Sequence, residues 1–148
     1  MDKQEHLESL RTMISAVIYG LVIGDALGVP VEFEERDTYR LYDMVGYGTY
    51  HQPPGTWSDD TSLTLALMEH LGEKSDLSIL MDKFVAYRDG YLTPFGYCFD
   101  IGIATNEAIE RYLSGISPEA CGGKDERSNG NGALMRISPL VFLLIKMS

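Results

Sequence analysis

Apolar residues recur at steps of three and four from the start of the chain. Leu7, Leu10, Ile14, Val17 and Leu21 fall on one face of a helix. The pattern runs into the small-residue stretch Gly24-Asp25-Ala26-Leu27-Gly28, followed by Val29-Pro30, where a turn is expected. Residues 31–56 carry no period and hold Gly46, Gly48, Pro53, Pro54 and Gly55, which predicts a long loop of functional or mobile kind. A second helix is predicted at about Thr61 to Leu71, with Leu63, Leu67 and Leu71 on one side and Gly72 as its stop. A third runs from about Leu77 to Asp89, with Leu80, Phe84 and Tyr87 inward and Gly90 at its end. A fourth runs from about Ile103 to Leu113 and closes at Gly115; either Ala104, Ala108 and Tyr112 or Ile109 and Leu113 face inward. After a glycine-rich stretch, a helical segment is expected near Gly132, and Ser138-Pro139 reads as cap and first turn of a final apolar helix. No strand alternation is legible. The pattern describes one all-α domain with its function on loops at helix ends.

The size of 148 residues suits one domain with a real core, and 45% hydrophobic with 23% charged residues suits a globular protein. The net charge of −10 argues against binding polymeric nucleic acid, which needs a basic face to replace counterions. The acidity is local: residues 25–60 sum to −6 and residues 101–148 to zero. Two cysteines, Cys98 and Cys121, exclude a disulfide framework and a cysteine-based zinc site, and are expected as free thiols. The stretch from Met13 to Ile23 is broken by Ser15 and Gly20 and lacks a basic leader and a cleavage site. The run from Leu140 to Ile145 is too short for a bilayer, which takes about 20 apolar residues. A cytoplasmic protein with no membrane partner is expected.

Four stretches stand out chemically. In Trp57-Ser58-Asp59-Asp60-Thr61, Ser58 or Asp59 could cap the second helix, and acidic residues favour its dipole. Two adjacent carboxylates flanked by hydroxyls also repel one another, and hard oxygen donors of this kind suit Mg²⁺ or Mn²⁺. Gly24 to Phe33 reads as a helix end, with Gly28 as terminator and Pro30 as breaker, or as a backbone brought close to a ligand, with Asp25 and Glu32 near it and Glu32 as candidate general base. Asn129-Gly130-Asn131-Gly132, before Ala133 to Arg136, is either a plain turn or a phosphate seat of N–H groups at a helix start. Asp100, before Gly102, reads as a cap. His6, His51 and His70 fit no metal or catalytic spacing, and Tyr39, Tyr42, Tyr47 and Tyr50 could stack on a base or sugar or simply pack the loop.

Taken in order, these stretches resemble the ADP-ribosylglycohydrolase family. The matching segments are Gly20 to Phe33, Gly55 to Thr61, Asp100-Ile101-Gly102 and Asn129 to Pro139, which together reach across essentially the whole chain. The resemblance implies an all-α orthogonal helical bundle and a site for two Mg²⁺ or Mn²⁺ ions. It implies that Ser58, Asp59 and Asp60 supply half of the metal ligands, that Glu32 is the mobile acidic residue over the site, and that Glu32 and Asp60 carry the catalytic roles. Asp25 and Asp100 would lie on the substrate side, Asp100 by the ribose, and Asn129, Gly130, Asn131 and Gly132 would receive the diphosphate. The implied reaction is metal-dependent hydrolysis of the bond between ADP-ribose and a side chain or small molecule, with an ADP-ribosylated protein or ADP-ribose conjugate as partner.

One departure limits the resemblance. The family's C-terminal Gly-Gly-Asp-x-Asp-Thr type segment supplies the remaining metal ligands, and Gly122-Gly123-Lys124-Asp125-Glu126 only echoes it in another place. Residues 1–148 are therefore expected to be the N-terminal part of a single ADP-ribosylglycohydrolase domain, a truncated form of the fold. Three readings follow: an active hydrolase, half of a split enzyme completed by a second chain, or an incomplete remnant that binds ADP-ribose or a related nucleotide. A purely structural helical fragment would instead show exposed apolar surface at Leu140 to Ile145.

Overall fold

A computed structural model describes residues 2–147, and among them every regular element is helical. The five α-helices are α1 (Lys3–Gly28), α2 (Asp59–Glu73), α3 (Leu77–Arg88), α4 (Ile103–Leu113) and α5 (Leu140–Met147). The chain divides into two compact units, Met1–Thr56 with Ser138–Ser148, and Trp57–Ile137.

In the first unit α1 opens on a capping box: Asp2 accepts from the Gln4 N–H, and Glu5 reaches back to the Asp2 N–H. The turn expected at Gly24 is absent. Nothing in Gly24 to Gly28 forbids helical φ/ψ, so α1 continues to Gly28, and Asp25 is a helical residue. Pro30, which has no N–H, then tightens the chain into the 3-10 turn Val29–Val31. The expected inward face of α1 is not covered: Leu7 and Val17 are exposed, Leu10, Ile14 and Leu21 half-buried, and only Ala26 is buried. By length and composition alone α1 could cross a bilayer, a test that core helices of soluble proteins also pass.

The loop after the 3-10 turn is shaped by close backbone approaches. Thr49 N–H donates to the Pro30 carbonyl at 3.0 Å, and its hydroxyl donates to the Glu32 carbonyl at 2.6 Å. This contact requires glycine at 48, because a Cβ there would lie 1.7 Å from the Pro30 carbonyl oxygen. Of the loop tyrosines, Tyr42 and Tyr47 are exposed, and Tyr50 packs against Phe33 with ring centroids 6.4 Å apart. The Ser138 hydroxyl is buried and finds no hydrogen-bond partner among the described residues, so it does not cap α5.

The second unit holds a core of Leu63 and Ala66 from α2, Met81, Phe84 and Tyr87 from α3, Ile109 from α4, and Cys121. Burying a side chain such as Leu63 contributes about 2 kcal/mol. The predicted inward faces of α2 and α3 hold, with Leu67 buried and Leu71 and Leu80 half-buried. On α4 Ile109 is buried and Leu113 is exposed, while Ala108 and Tyr112 pack partly on the core and Ala104 is exposed. Helix α2 overruns Gly72 and stops where Lys74 adopts the left-handed conformation, φ 52°. Gly90 and Gly115, at φ 99° and 95°, follow α3 and α4 as predicted. No α-helix starts near Gly132. Asn131–Ala133 forms a single 3-10 turn, in which the Asn131 carbonyl accepts from the Leu134 N–H at 2.8 Å and the Met135 N–H at 3.1 Å.

Candidate active site

The site is built where three segments of the second unit meet. Trp57 leads into α2, its indole N–H donating to the Leu92 carbonyl at 3.2 Å. Ser58 caps α2, accepting from the Asp60 N–H. Asp59 and Asp60 occupy the first turn, Asp59 buried and Asp60 half-buried, with Asp60 Oδ2 accepting from the Ser58 hydroxyl at 3.5 Å. The following hydroxyls are buried too, and they turn inward on the helix: Ser62 donates to the Ser58 carbonyl and Thr64 to the Asp60 carbonyl.

The Asp59 carboxylate reaches another element. Its Oδ2 accepts from the Gly102 N–H at 3.0 Å, at the N-cap of α4. Asp100 is therefore not the cap of α4; Gly102 is, and it brings no side-chain hydrogen bond. The Asp100 carbonyl instead accepts from the buried Tyr87 phenol at 2.5 Å and from the Cys98 thiol at 3.2 Å. Burial pushes the Tyr87 phenol well above its ordinary range, and the Cys98 thiol upward. Both therefore remain neutral donors.

The glycine loop lies against the same helix start. A Cβ on Gly130 would touch Ala104 Cβ at 3.4 Å, and one on Gly132 would lie 2.6 Å from Thr105 Oγ1. Thr105 is buried, on the same face as Ile109 one turn on. The Asn129 amide closes the loop by donating to the Glu126 carbonyl at 2.6 Å. Since Asn131–Ala133 is only a 3-10 turn, the helix-dipole part of the phosphate argument falls away and the loop N–H groups remain.

Arg136 completes the group. Its guanidinium lies 4.7 Å from the Phe84 ring centroid, and its Nη1 is buried with no hydrogen-bond partner among the described residues. Burial lowers its pKa from the ordinary range and the Asp59 charge opposes that fall. Asp25 and Glu32 belong to the first unit, both half-buried, with Glu32 fixed through its carbonyl by Thr49. Sequence reasoning missed Thr105, Arg136 and the polar role of Tyr87. A tyrosine on an inward face needs a partner for its O–H, and that was the available signal.

As metal donors, Ser58, Asp59 and Asp60 give a hydroxyl and two carboxylates, the hard oxygen chemistry of Mg²⁺ or Mn²⁺. Among the described residues no group of three or more His, Cys, Asp or Glu side chains comes together. The donor set fits such a cation in kind and is partial in number.

These features define an all-α protein with a buried, oxygen-rich centre between two helix starts and a glycine loop. The chain belongs to the ADP-ribosylglycohydrolase family, whose profile matches residues 7–147. It is 39% identical over 135 residues to the ADP-ribosylarginine hydrolase Tri1 of Serratia proteamaculans, covering 89% of this chain and 36% of that protein. It is 32% identical over 127 residues to the ADP-ribosyl-[dinitrogen reductase] glycohydrolase of Rhodospirillum rubrum, covering 81% and 40%. A solved structure, an ADP-ribosylglycohydrolase-related protein complex, superposes with TM-score 0.65 at 39% identity, covering 84% of this chain and 40% of that one. The chain thus spans well under half the length of these relatives.

Proposed function

We propose that the chain is the N-terminal part of a metal-dependent hydrolase that removes ADP-ribose from a modified side chain or small molecule. Relatives named for ADP-ribosylarginine and for dinitrogen reductase support an ADP-ribosylated protein as substrate. The observation that carries the proposal is Asp59. It is a buried carboxylate held on Gly102 of a second helix, whose first turn also seats the Gly130 and Gly132 loop. Ser58, Asp59 and Asp60 would hold Mg²⁺ or Mn²⁺, two ions in the whole site, with further ligands from protein beyond these 148 residues, on the same polypeptide or another. Such ions, when bound, supply Lewis-acid polarisation. Asn129 to Gly132 would orient the diphosphate, Asp25 and Asp100 the ribose side, and Glu32 and Asp60 would move protons at the scissile bond. Cytoplasmic location is part of this proposal, with α1 as a core helix whose apolar face the rest of the family fold covers.

Calorimetric titration of Mn²⁺ into the chain, with and without ADP-ribose, tests it beside Asp59→Asn/Asp60→Asn. Saturable binding that ADP-ribose strengthens and the variant loses is expected; equal binding by both proteins overturns the assignment. A second reading, nucleotide binding without turnover, is favoured by the partial donor set. It is separated by release of ADP-ribose from ADP-ribosylarginine, which a binding remnant would not catalyse.

A further inference from the structure

We infer that Tyr87 is a positioning residue for the Asp59 carboxylate. The inference rests on the proposed function for what Asp59 is for, and on geometry alone for how it is held.

A carboxylate that must meet a ligand needs a fixed orientation, and Asp59 takes part of its own from a backbone N–H rather than from a side chain. That N–H belongs to Gly102, which has no side chain to anchor it and stands at the end of an irregular segment before α4. The Gly102 carbonyl is held downstream by the Asn106 N–H at 2.9 Å, whereas its own N–H lies in the peptide plane shared with Ile101 and takes its direction from what fixes the backbone just upstream. Two donors do so at one atom, the Asp100 carbonyl oxygen: the Tyr87 phenol at 2.5 Å and the Cys98 thiol at 3.2 Å. The phenol is the stronger donor, and its ring is locked, because Tyr87 is 2% exposed within the core beside Met81 and Phe84. The thiol is the weaker donor, sits on the segment it would hold, and is itself hydrogen-bonded to the Tyr87 phenol, so what anchors it is again α3. Helix α3 thus passes the rigidity of the core through one O–H to the Asp100–Gly102 backbone, and from there to Asp59. Packing alone would be served by phenylalanine; the hydroxyl is what the arrangement adds.

Tyr87→Phe tests this in the full chain, since it removes one oxygen and leaves the ring. The first measurement is hydrogen exchange of the Gly102 amide, which reports its bond to Asp59 whether or not a metal binds. Exchange at Gly102 is expected to quicken at least about tenfold, with Leu63 and Ile109 amides unchanged. The second is the Mn²⁺ dissociation constant, expected to rise about tenfold, the lower end for loss of a group supporting a ligand. Unchanged Gly102 exchange overturns the inference, as does an equal quickening at Leu63 and Ile109. Quickened Gly102 exchange in a protein whose wild type binds no Mn²⁺ upholds the positioning and refutes the metal reading. Cys98→Ala keeps the test decisive should Tyr87→Phe not fold. With the phenol in place, Gly102 exchange should stay within about twofold, and a tenfold change would assign the anchor to the thiol instead.

Discussion

Gly132→Ala asks whether the glycine loop is seated on α4 as the distances indicate. The new Cβ would lie 2.6 Å from Thr105 Oγ1 and 4.0 Å from Thr105 Cβ. Thr105 is buried in the first turn of α4, so turning its hydroxyl aside presses the side chain into packed neighbours. Overpacking of this kind costs about 1–3 kcal/mol. Against it, alanine restricts the unfolded chain and returns about 0.4–1 kcal/mol where the backbone tolerates it. Gly132 is outside the left-handed region, so that gain applies. The net expectation is a loss of roughly 1 kcal/mol, or about 2–4 °C in Tm for a chain of this size. Thr105→Ala removes the obstructing oxygen, so the double variant should be less destabilised than the sum of the singles by about 1–2 kcal/mol. Urea and thermal unfolding of the four proteins measure this coupling. Additivity within about 0.5 kcal/mol, or a Gly132→Ala protein more stable than wild type, would refute the seating of the loop on Thr105.

Three further outcomes are expected. Gly48→Ala should destabilise the first unit by at least about 2 kcal/mol, because the obstacle is the Pro30 backbone rather than a movable side chain, and limited proteolysis within residues 32–55 should quicken. Glu69 is held below its ordinary pKa of 4.5 by hydrogen bonds from Lys83, 2.9 Å away, and from Tyr91. Its stabilisation is complete above that value and lost as pH falls through the depressed one, so Lys83→Met should flatten the acid limb of a stability profile. The effect is at most about 1 kcal/mol, since the Glu69 side chain is 37% exposed. Arg136→Met should strengthen Mn²⁺ binding severalfold by removing a positive charge that acts on Asp59, while Arg136→Lys leaves it near wild type; weaker binding by the methionine variant would show that the guanidinium orders the site.

The helices were legible because their apolar spacing is local information, and α4 matches its predicted bounds, Ile103–Leu113. What misled lies where tertiary context decides. Gly24 and Gly72 look like stops, yet a glycine ends a helix only if the chain has reason to turn there: α1 runs on to Gly28, the terminator expected before the breaker Pro30, and α2 to Glu73 before Lys74. The face Leu7 to Leu21 has helical period, but a period says nothing of what covers it. Ser58, Asp59 and Asp60 stood out as a string; the partner of Asp59, forty-three positions away at Gly102, did not, because a backbone N–H carries no sequence signature. The Tyr87 hydroxyl announces that it needs an acceptor, but its acceptor, the Asp100 carbonyl, is again backbone and carries no signature.

The placement of Asp59 also bears on why that carboxylate is there. An acidic residue in a first helical turn gains about 0.3–1 kcal/mol from the dipole when it stays in water. Ser58 already caps α2, so Asp59 is not needed for that. Burying its charge costs several kcal/mol before compensation. Its compensation includes a backbone N–H from Gly102 and the charge of Arg136, itself partly desolvated with one N–H unpartnered among the described residues. The dipole alone would be served by a carboxylate left in water, so burial is what the position adds. Burial of a charge against a second helix start, beside a loop that demands glycine at 132, is what a cation and an anionic ligand sharing one seat would require.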